Sequence, residues 1–586
     1  MKRWLVNRTN PEYVEYISRV ASVSPAFAQI LINRGIKSPD QLYAFLDPSI
    51  DRLSDPFELP NIKIAIDRIK EAKKNNEIVL VCGDYDADGI TATAIIVEGL
   101  KKIGVQVHYF IPNRMTHGYG FGRAGIEKAK EIGAKLIITV DCGITSFDAV
   151  SDANSIEIDV IITDHHEPTR QNTEERARSK EEKDLTSDFI LPDALAIINP
   201  KLLNSSVFTH HLSILSGSGV AFMLIYALLG SMDDAYELLD LAAIGTVADV
   251  VPVFEDNRII IKEGIKLIQS GSRIGIKALK SASGIKSDYF KTSFLYYILN
   301  PRINAAGRIS DANDVVRLLT TKSEAEAEEL AKWLNNLNLL RQEIELAVYN
   351  DAKDILSRGI GKEDLNCAIV LAKEGWHPGV IGIVASRIAE EYCMPTFIFS
   401  IDNGIAKGSA RSIPFFDIYY GLTQCKQILK RFGGHKQAAG LSLSVQDVEQ
   451  FSSMISDVIR NTLSEDELIP VLNIDAAVNL YDVKMELLDE IQKLEPFGYG
   501  NDDPLFGTRG LEVIQPRIVG NNHLKMLLRQ NRRSIDSIGF DFGGLLNIVE
   551  DNKTIDAAFV PAVNEWNGGR HLQLNLKAIR PAVSSQ

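Results

Sequence analysis

Three short β-branched runs, Ile78–Cys82, Leu136–Val140 and Val160–Thr163, each lead straight into charged or metal-ligating side chains. The first is followed by Gly83-Asp84-Tyr85-Asp86-Ala87-Asp88-Gly89, the second by Asp141-Cys142-Gly143, the third by Asp164-His165-His166. Runs of this length and composition read as strands buried on both faces, which belong to parallel sheets covered by helices. Open parallel sheets bind ligands at the carboxyl ends of their strands. Carboxylates and imidazoles gathered there point to a divalent-metal site. A fourth cluster, Val247-Ala248-Asp249-Val250-Val251-Pro252, follows a helix expected over Ala235–Ile244.

The rest of the chain fits around that sheet. At 586 residues it is too long for one core, and several domains are expected. Residues 1–60 read as a helical lead-in. From 61 to 322, predicted strands alternate with amphipathic helices, as in a doubly wound α/β domain. Residues 323–357 contain helically spaced leucines and isoleucines, and Ser323–Leu356 has neither Gly nor Pro, so one long connecting helix is predicted. Residues 358–460 read as a second α/β domain, with strands at Cys367–Leu371, Thr396–Ser400 and Gly440–Ser444. Its predicted helices are Val380–Tyr392 and Tyr419–Arg431. Residues 461–586 form a linker and five short strands that suit an OB-like β-barrel. The charge-dense insertion Thr169–Ser187 reads as a solvated loop or short helix.

Net charge is −14, so no global basic field draws the protein onto nucleic acid or an anionic membrane. Any polyanion must be held locally. Leu505–Gln586 is the relatively basic part, with 10 Lys and Arg against 7 Asp and Glu. Cys82, Cys142, Cys367, Cys393 and Cys425 have no CxxC spacing, which favours a reducing compartment and disfavours a zinc framework. The amino-terminal residues lack the apolar core of a signal peptide, and Val220–Leu229 is too short to span a bilayer. A cytoplasmic protein without a membrane association is expected.

Asp86 and Asp88 stand two apart, so an extended segment would point both carboxylates to one side, with Gly89 turning the chain into a helix from about Thr91. Either alone reads equally as a helix cap. Several carboxylates in one mouth repel each other unless cations intervene. Two divalent ions about 4 Å apart would neutralise them and activate water against phosphate esters. Carboxylates mixed with imidazoles suit Mn²⁺ over Mg²⁺, with Mg²⁺ also possible.

The motifs GDYDADG, VDCGIT, TDHHEP and ADVVP resemble those of the DHH phosphoesterases. Further stretches narrow the resemblance to that family's single-strand-specific 5′→3′ exodeoxyribonucleases. They are Asn300–Arg308, Gly375–Gly382, Gly433–Gly440 and Leu494–Asn501. The resemblance implies metal ligation by Asp86, Asp88, Asp141, His165, His166 and Asp249, with Asp84 and Asp164 orienting those ligands. Relatives often carry a His where this chain has Cys82, which implies one fewer protein ligand for the adjacent metal. It also implies that Ser409 and Arg411 hold a 5′-terminal phosphate, with Arg114 assisting. Arg302, Asn304 and Arg308 would line the path to the metals. Gly433-Gly434-His435-Lys436 reads as either a phosphate cradle or a tight turn, and the resemblance places His435 on substrate.

His377 reads as a phosphate contact or a helix-capping residue. Trp566, Phe506 and Phe540 are candidate base-stacking platforms or core, and Arg529–Arg533 a backbone contact or a solvated hairpin. The implied activity is hydrolysis of single-stranded DNA from its 5′ end, releasing 5′-mononucleotides in DNA repair and recombination. The implied partners are a helicase and a single-strand-binding protein, and the implied state is a monomer. Two other readings are a phosphodiesterase for oligoribonucleotides or cyclic dinucleotides, and a non-catalytic replication scaffold.

Overall fold

The structure, a computed structural model, describes residues 2–114, 116–118, 120–170, 189–203, 212–287, 289–359, 367–566 and 569–582. Most of the Thr169–Ser187 insertion therefore lies outside the described residues. The chain divides into two compact units, one of Trp4–Ile303, Asp311–Ala331 and Asn473–Gln586, the other of Met1–Arg3, Asn304–Ser310 and Lys332–Leu472. Among the described residues no helix is long and apolar enough to cross a membrane.

The first unit is built on a five-stranded, wholly parallel sheet. Its spatial order is Gln106–Phe110, Ile78–Gly83, Leu136–Val140, Asp159–Thr163, Ala196–Ile198. In chain order this is 2-1-3-4-5, so the strand order reverses between Ile78–Gly83 and Leu136–Val140. Such a switch point opens a crevice at the carboxyl edge. Helices Ala87–Lys102 and Gly217–Leu229 pack on one face. Leu80, Ile137, Val160 and Ile162 join Ile126, Ala129 and Val150 of helices Arg123–Ile132 and Phe147–Asn154 in the core of the other. The doubly wound reading is borne out.

Three helices, Pro11–Ala21, Pro25–Asn33 and Pro39–Leu46, open this unit. Each starts with Pro in its first turn behind a capping Asn10, Ser24 or Ser38 that accepts a backbone N–H. Their apolar faces share a core with the C-terminal barrel, where Phe27, Ile30 and Leu31 join Phe506, Leu524 and Phe559. The barrel strands are Phe506–Val519, His523–Gln530, Arg533–Gly539, Thr554–Trp566 and Gly569–Pro581, and the first pairs with Thr554–Trp566 to close the ring. This is the expected OB-like architecture. Phe506 is fully buried against Phe559, so it is core and not a stacking platform. Phe540 is exposed beside His523, and the side chain of Trp566 lies outside the described residues. Arg529 pairs with Glu512 across the sheet, on the solvated hairpin around Asn531.

Arg258 ties three parts of this unit together. Its buried guanidinium donates to the carbonyls of Phe45, Lys493, Leu494, Glu495 and Pro496, and stacks over the Phe45 ring at 4.0 Å. Burial lowers its pKa to about 9, which still leaves the group charged at neutral pH.

The second unit has a mixed sheet in the order Leu429–Gly434, Ala438–Ser444, Ile405–Arg411, Thr396–Asp402, Ile369–Glu374. Only the last two strands are parallel. Ile381–Tyr392 is helical as expected, and the long helix runs Glu324–Gly359. The helix expected over Tyr419–Arg431 is a correction: Ile418–Gln424 is helical, and Leu429–Gly434 is an edge strand. Gly433 and Gly434 are poor helix formers, and the ladder to Ala438–Ser444 supplies the backbone bonds instead. The strand Ile405–Arg411 escaped the sequence reading, although Asn403-Gly404, both at positive φ, is a two-residue hairpin turn.

Arg258→Ala strands several buried carbonyls. It is expected to cost about 3 kcal/mol or more, read as a lowered urea midpoint; an unchanged midpoint would show that the clamp is dispensable.

Candidate metal centre

The four candidate ligand clusters predicted from the sequence meet at the carboxyl edge, beside the switch point. Asp84 follows the Ile78–Gly83 strand, Asp141 follows Leu136–Val140, and Asp164-His165-His166 follow Asp159–Thr163. Asp249 arrives separately, as the C-cap of helix Leu239–Ala248. Among the described residues, three overlapping sets have ligand atoms within 4.8 Å of one another: Asp141, His165 and His166; Asp88, His165 and Asp249; Asp84, Asp86 and Asp141.

Local geometry differs from the extended segment expected for Asp86 and Asp88. The helix begins at Ala87, so Asp86 is its N-cap, accepting from the Asp88 and Gly89 N–H groups at 3.0 and 3.1 Å. Capping and convergence on the cluster are both true of this residue. Asp88 lies in the first turn, and its carboxylate accepts from Gly217 N at 2.7 Å and Ser218 N at 2.9 Å. Those amides open the helix Gly217–Leu229, whose positive end favours an anion. Gly89 does not turn the chain. It sits inside the helix, where a Cβ would fall 2.6 Å from the Asp84 carbonyl oxygen.

Asp141 is held at φ +59°, with its N–H bonded to Thr163 O at 2.9 Å. Its Oδ1 lies 3.1 Å from His165 Nε2 without the alignment of a hydrogen bond. His165 Nε2 is also 3.5 Å from Asp249 Oδ2 and 4.0 Å from Asp88 Oδ2. Among the described residues, Asp84 Oδ1, Asp141 Oδ1 and His165 Nε2 are buried with no hydrogen-bond partner. Orphaned acceptors facing one another are costly unless something positive sits between them.

The electrostatics agree. Burial, then repulsion from neighbouring aspartates, raises the carboxyls of Asp84, Asp86 and Asp141 above the ordinary range. The same causes take Asp249 to about 8. His165 is lowered by burial and by His166, which keeps its ring neutral as a ligand must be. Asp164 is the opposite case. Although burial opposes its charge, the His166 hydrogen bond holds it below the ordinary range. It accepts from the N–H groups of Ile144, His165 and His166, and from His166 Nδ1 at 2.7 Å. His166, 44% exposed, rises to about 9 because the Asp164 bond outweighs desolvation, so in the metal-free protein its ring carries a proton that a bound metal would have to displace. A carboxylate fixing an imidazole this way is the usual outer support of a metal-ligating histidine. Cys82 is buried, burial raises its thiol to about 12, and its Sγ faces Gly125.

Two glycines of the site were not singled out by sequence. A Cβ on Gly217 would lie 2.5 Å from Asp141 Oδ1, and one on Gly245 2.5 Å from Asp88 Oδ1. The small-residue run Ser216-Gly217-Ser218-Gly219 ahead of an apolar helix was the available signal.

Arg114 lies over the Tyr85 ring at 5.4 Å, and its charge draws Asp84 down. Arg302 donates to Ile298 O within its own helical region. Asn304 and Arg308 are grouped with the second unit, where Arg308 donates to Gly379 O at 3.1 Å. There, Arg411 Nη1 donates to Ser409 Oγ at 3.2 Å, and its Nε to Ser386 Oγ at 3.0 Å. A Cβ on Gly382 would crowd both residues, so they face the first turn of helix Ile381–Tyr392. Arg411 pairs with Ala438, whose carbonyl accepts from His435 N, so register gathers Ser409, Arg411 and His435 at one end of the sheet. His435 occupies a hairpin turn. His377 Nδ1 accepts from Gly379 N, just ahead of that same helix.

Fold and site define a phosphoesterase of the DHH class. The DHH family N-terminal domain model matches residues 78–246, the DHHA1 domain model 365–461 and the RecJ OB domain model 474–578. The chain is 37% identical over 580 residues to the single-stranded-DNA-specific exonuclease RecJ of Bacillus subtilis (strain 168), spanning 98% of this chain and 70% of that protein. RecJ from Thermus thermophilus in complex with Mn²⁺ superposes with a TM-score of 0.82 at 29% identity, over 99% of this chain and 80% of that one. The Mg²⁺ complex of the same protein gives 0.77 at 28% identity, over 99% and 79%. The chain belongs to the RecJ family.

The metal-free protein should lose stability as pH rises. A carboxyl with a raised folded pKa binds more protons folded than unfolded, so for Asp249 the loss runs from its ordinary 3.8 up to about 8. Melting temperatures in EDTA are expected to fall across this window. Asp249→Asn or added Mn²⁺ should flatten the slope; equal slopes in all three would contradict the burial argument.

Proposed function

We propose that this chain is a metal-dependent, single-stranded-DNA-specific 5′→3′ exonuclease that releases 5′-mononucleotides in DNA repair and recombination. The observation that carries this is the convergence of orphaned carboxylate and imidazole atoms at the sheet edge of a RecJ-family chain. Asp86, Asp88, Asp141, His165, His166 and Asp249 would hold two divalent ions, Mn²⁺ in preference to Mg²⁺. Support for those ions comes from the Mn²⁺ and Mg²⁺ complexes of the Thermus thermophilus relative. Bound there, such ions activate water and polarise the phosphodiester.

The chain's own groups do the rest. Asp164 holds the His166 ring in one orientation, and Asp84, clustered with Asp86 and Asp141, would orient those ligands. The Gly217 and Ser218 amides fix the Asp88 carboxylate, so no reorganisation is needed when substrate arrives. Arg114, Arg302, Asn304 and Arg308 would contact the substrate. In the second unit Ser409, Arg411 and His435 would take the 5′-terminal phosphate. Arg411 is preorganised for this by Ser386 and Ser409, and a guanidinium fork suits a terminal phosphate. The barrel, relatively basic, would carry the strand beyond. A helicase and a single-strand-binding protein are the partners this substrate calls for, and we place the protein, as a monomer, in the cytoplasm.

One assay tests the reading: 5′-phosphorylated and 5′-hydroxyl single strands, duplex DNA, RNA and a cyclic dinucleotide, each with Mn²⁺, Mg²⁺ or EDTA. Degradation of the phosphorylated single strand alone, dependent on metal, is expected. Preference for RNA or the cyclic dinucleotide would replace the proposed substrate, and no cleavage would favour a scaffold. Asp141→Ala should abolish cleavage while leaving single-strand binding largely intact in a filter assay; parallel loss of both would show that Asp141 is not mainly a metal ligand.

A further inference from the structure

The Leu494–Asn501 loop, which leads into the barrel, contributes no group to the metal cluster. It nevertheless grips the segment that follows Asp249. Val253 N donates to Tyr499 O at 2.9 Å. A Cβ on Gly498 would fall 2.5 Å from Val253 Cγ2 and 2.7 Å from Tyr296 Oη. Gly500, at φ +76°, packs so that a Cβ would lie 2.9 Å from Phe254 Cε2. Only glycine allows the loop to lie this flat on Val253 and Phe254.

The loop is itself rigid. Gly498 and Asn501 exchange backbone hydrogen bonds at 3.0 and 2.8 Å. Buried Asn501 donates from Nδ2 to the carbonyls of Leu494 and Pro496, and its Oδ1 accepts from Arg34. A second fastening comes from Arg258, in the helix Glu255–Ser270, through the carbonyls of residues 493–496. Asn257 Nδ2 closes the turn from within by donating to Pro252 O. The stretch from Asp249 to Arg258 is thus held against the loop at both Val253 and Arg258. Asp249 itself is only half-buried and ends a helix, with Val250 at φ +57° behind it. Its own helix holds the Asp249 N–H through Gly245 O at 3.0 Å and the Val250 N–H through Val247 O at 3.4 Å, and the turn from there to Val253 is fastened by the loop.

We propose that the Leu494–Asn501 loop is a positioning element of the metal centre, setting where the Asp249 carboxylate stands and so the affinity for divalent metal. This rests on Asp249 being a metal ligand. Supports of this outer kind change metal affinity by about 10- to 100-fold when lost.

The test is Mn²⁺ titration of the full chain, followed by electron paramagnetic resonance, for wild type, Gly498→Ala and Gly500→Ala. Gly498→Ala is expected to weaken Mn²⁺ binding about tenfold and Gly500→Ala to weaken it less. Excess Mn²⁺ should restore kcat, while KM for single-stranded DNA stays at the wild-type value. Wild-type Mn²⁺ affinity in both folded variants, or a changed KM with unchanged metal affinity, would overturn the inference. Should Gly498→Ala fail to fold, Gly500→Ala decides by the same criterion. A wild type that binds no Mn²⁺ would instead overturn the metal-site reading itself.

Discussion

Mutual repulsion among carboxylates at the end of a parallel sheet is the constraint on which this molecule turns. Asp84, Asp88 and Asp141 are buried, and Asp86 and Asp249 half-buried, in overlapping clusters that also take in His165 and His166. A protein interior tolerates such a cluster only with compensation. Part of it is built in: amides of Gly217 and Ser218 for Asp88, those of Asp88 and Gly89 for Asp86, and those of Ile144, His165 and His166 for Asp164. Among the described residues, Asp84 Oδ1, Asp141 Oδ1 and His165 Nε2 have no such partner. The orphaned atoms of Asp84, Asp141 and His165 face inward, where a divalent cation would satisfy them together.

The close packing follows from the same need. Gly89, Gly217 and Gly245 each stand where a methyl group would strike Asp84, Asp141 or Asp88. Small residues bring backbone amides to the carboxylates, and the helix that delivers them, Gly217–Leu229, is otherwise apolar and anchored in the core. Chemistry at the sheet edge and burial beneath it are therefore one arrangement.

Much of this was legible in the chain. Strands buried on both faces announce themselves as apolar runs, so the parallel sheet and the clusters at its mouth could be read directly. Asp249 could be placed after a helix for the same reason. Less local features were hidden. The capping role of Asp86 and the first-turn position of Asp88 depend on a helix that starts at Ala87, a full turn ahead of the Thr91 start its apolar pattern suggests. The strand Ile405–Arg411 is made of small and polar residues, and its hairpin turn was its only mark. Phe506 is indistinguishable by sequence from an exposed stacking ring. Least visible was the core shared by the N-terminal helices and the C-terminal barrel, because no local pattern records which distant apolar face a helix will meet. The Arg258 clamp and the Leu494–Asn501 loop are products of that long-range packing.

We propose that the carboxyl edge of the sheet holds two divalent metals. Anomalous diffraction at the manganese absorption edge, from crystals grown with Mn²⁺, would locate them. Two peaks are predicted, lying among Asp86, Asp88, Asp141, His165, His166 and Asp249. Absence of density there, or manganese bound only elsewhere, would show that the cluster is not a metal centre.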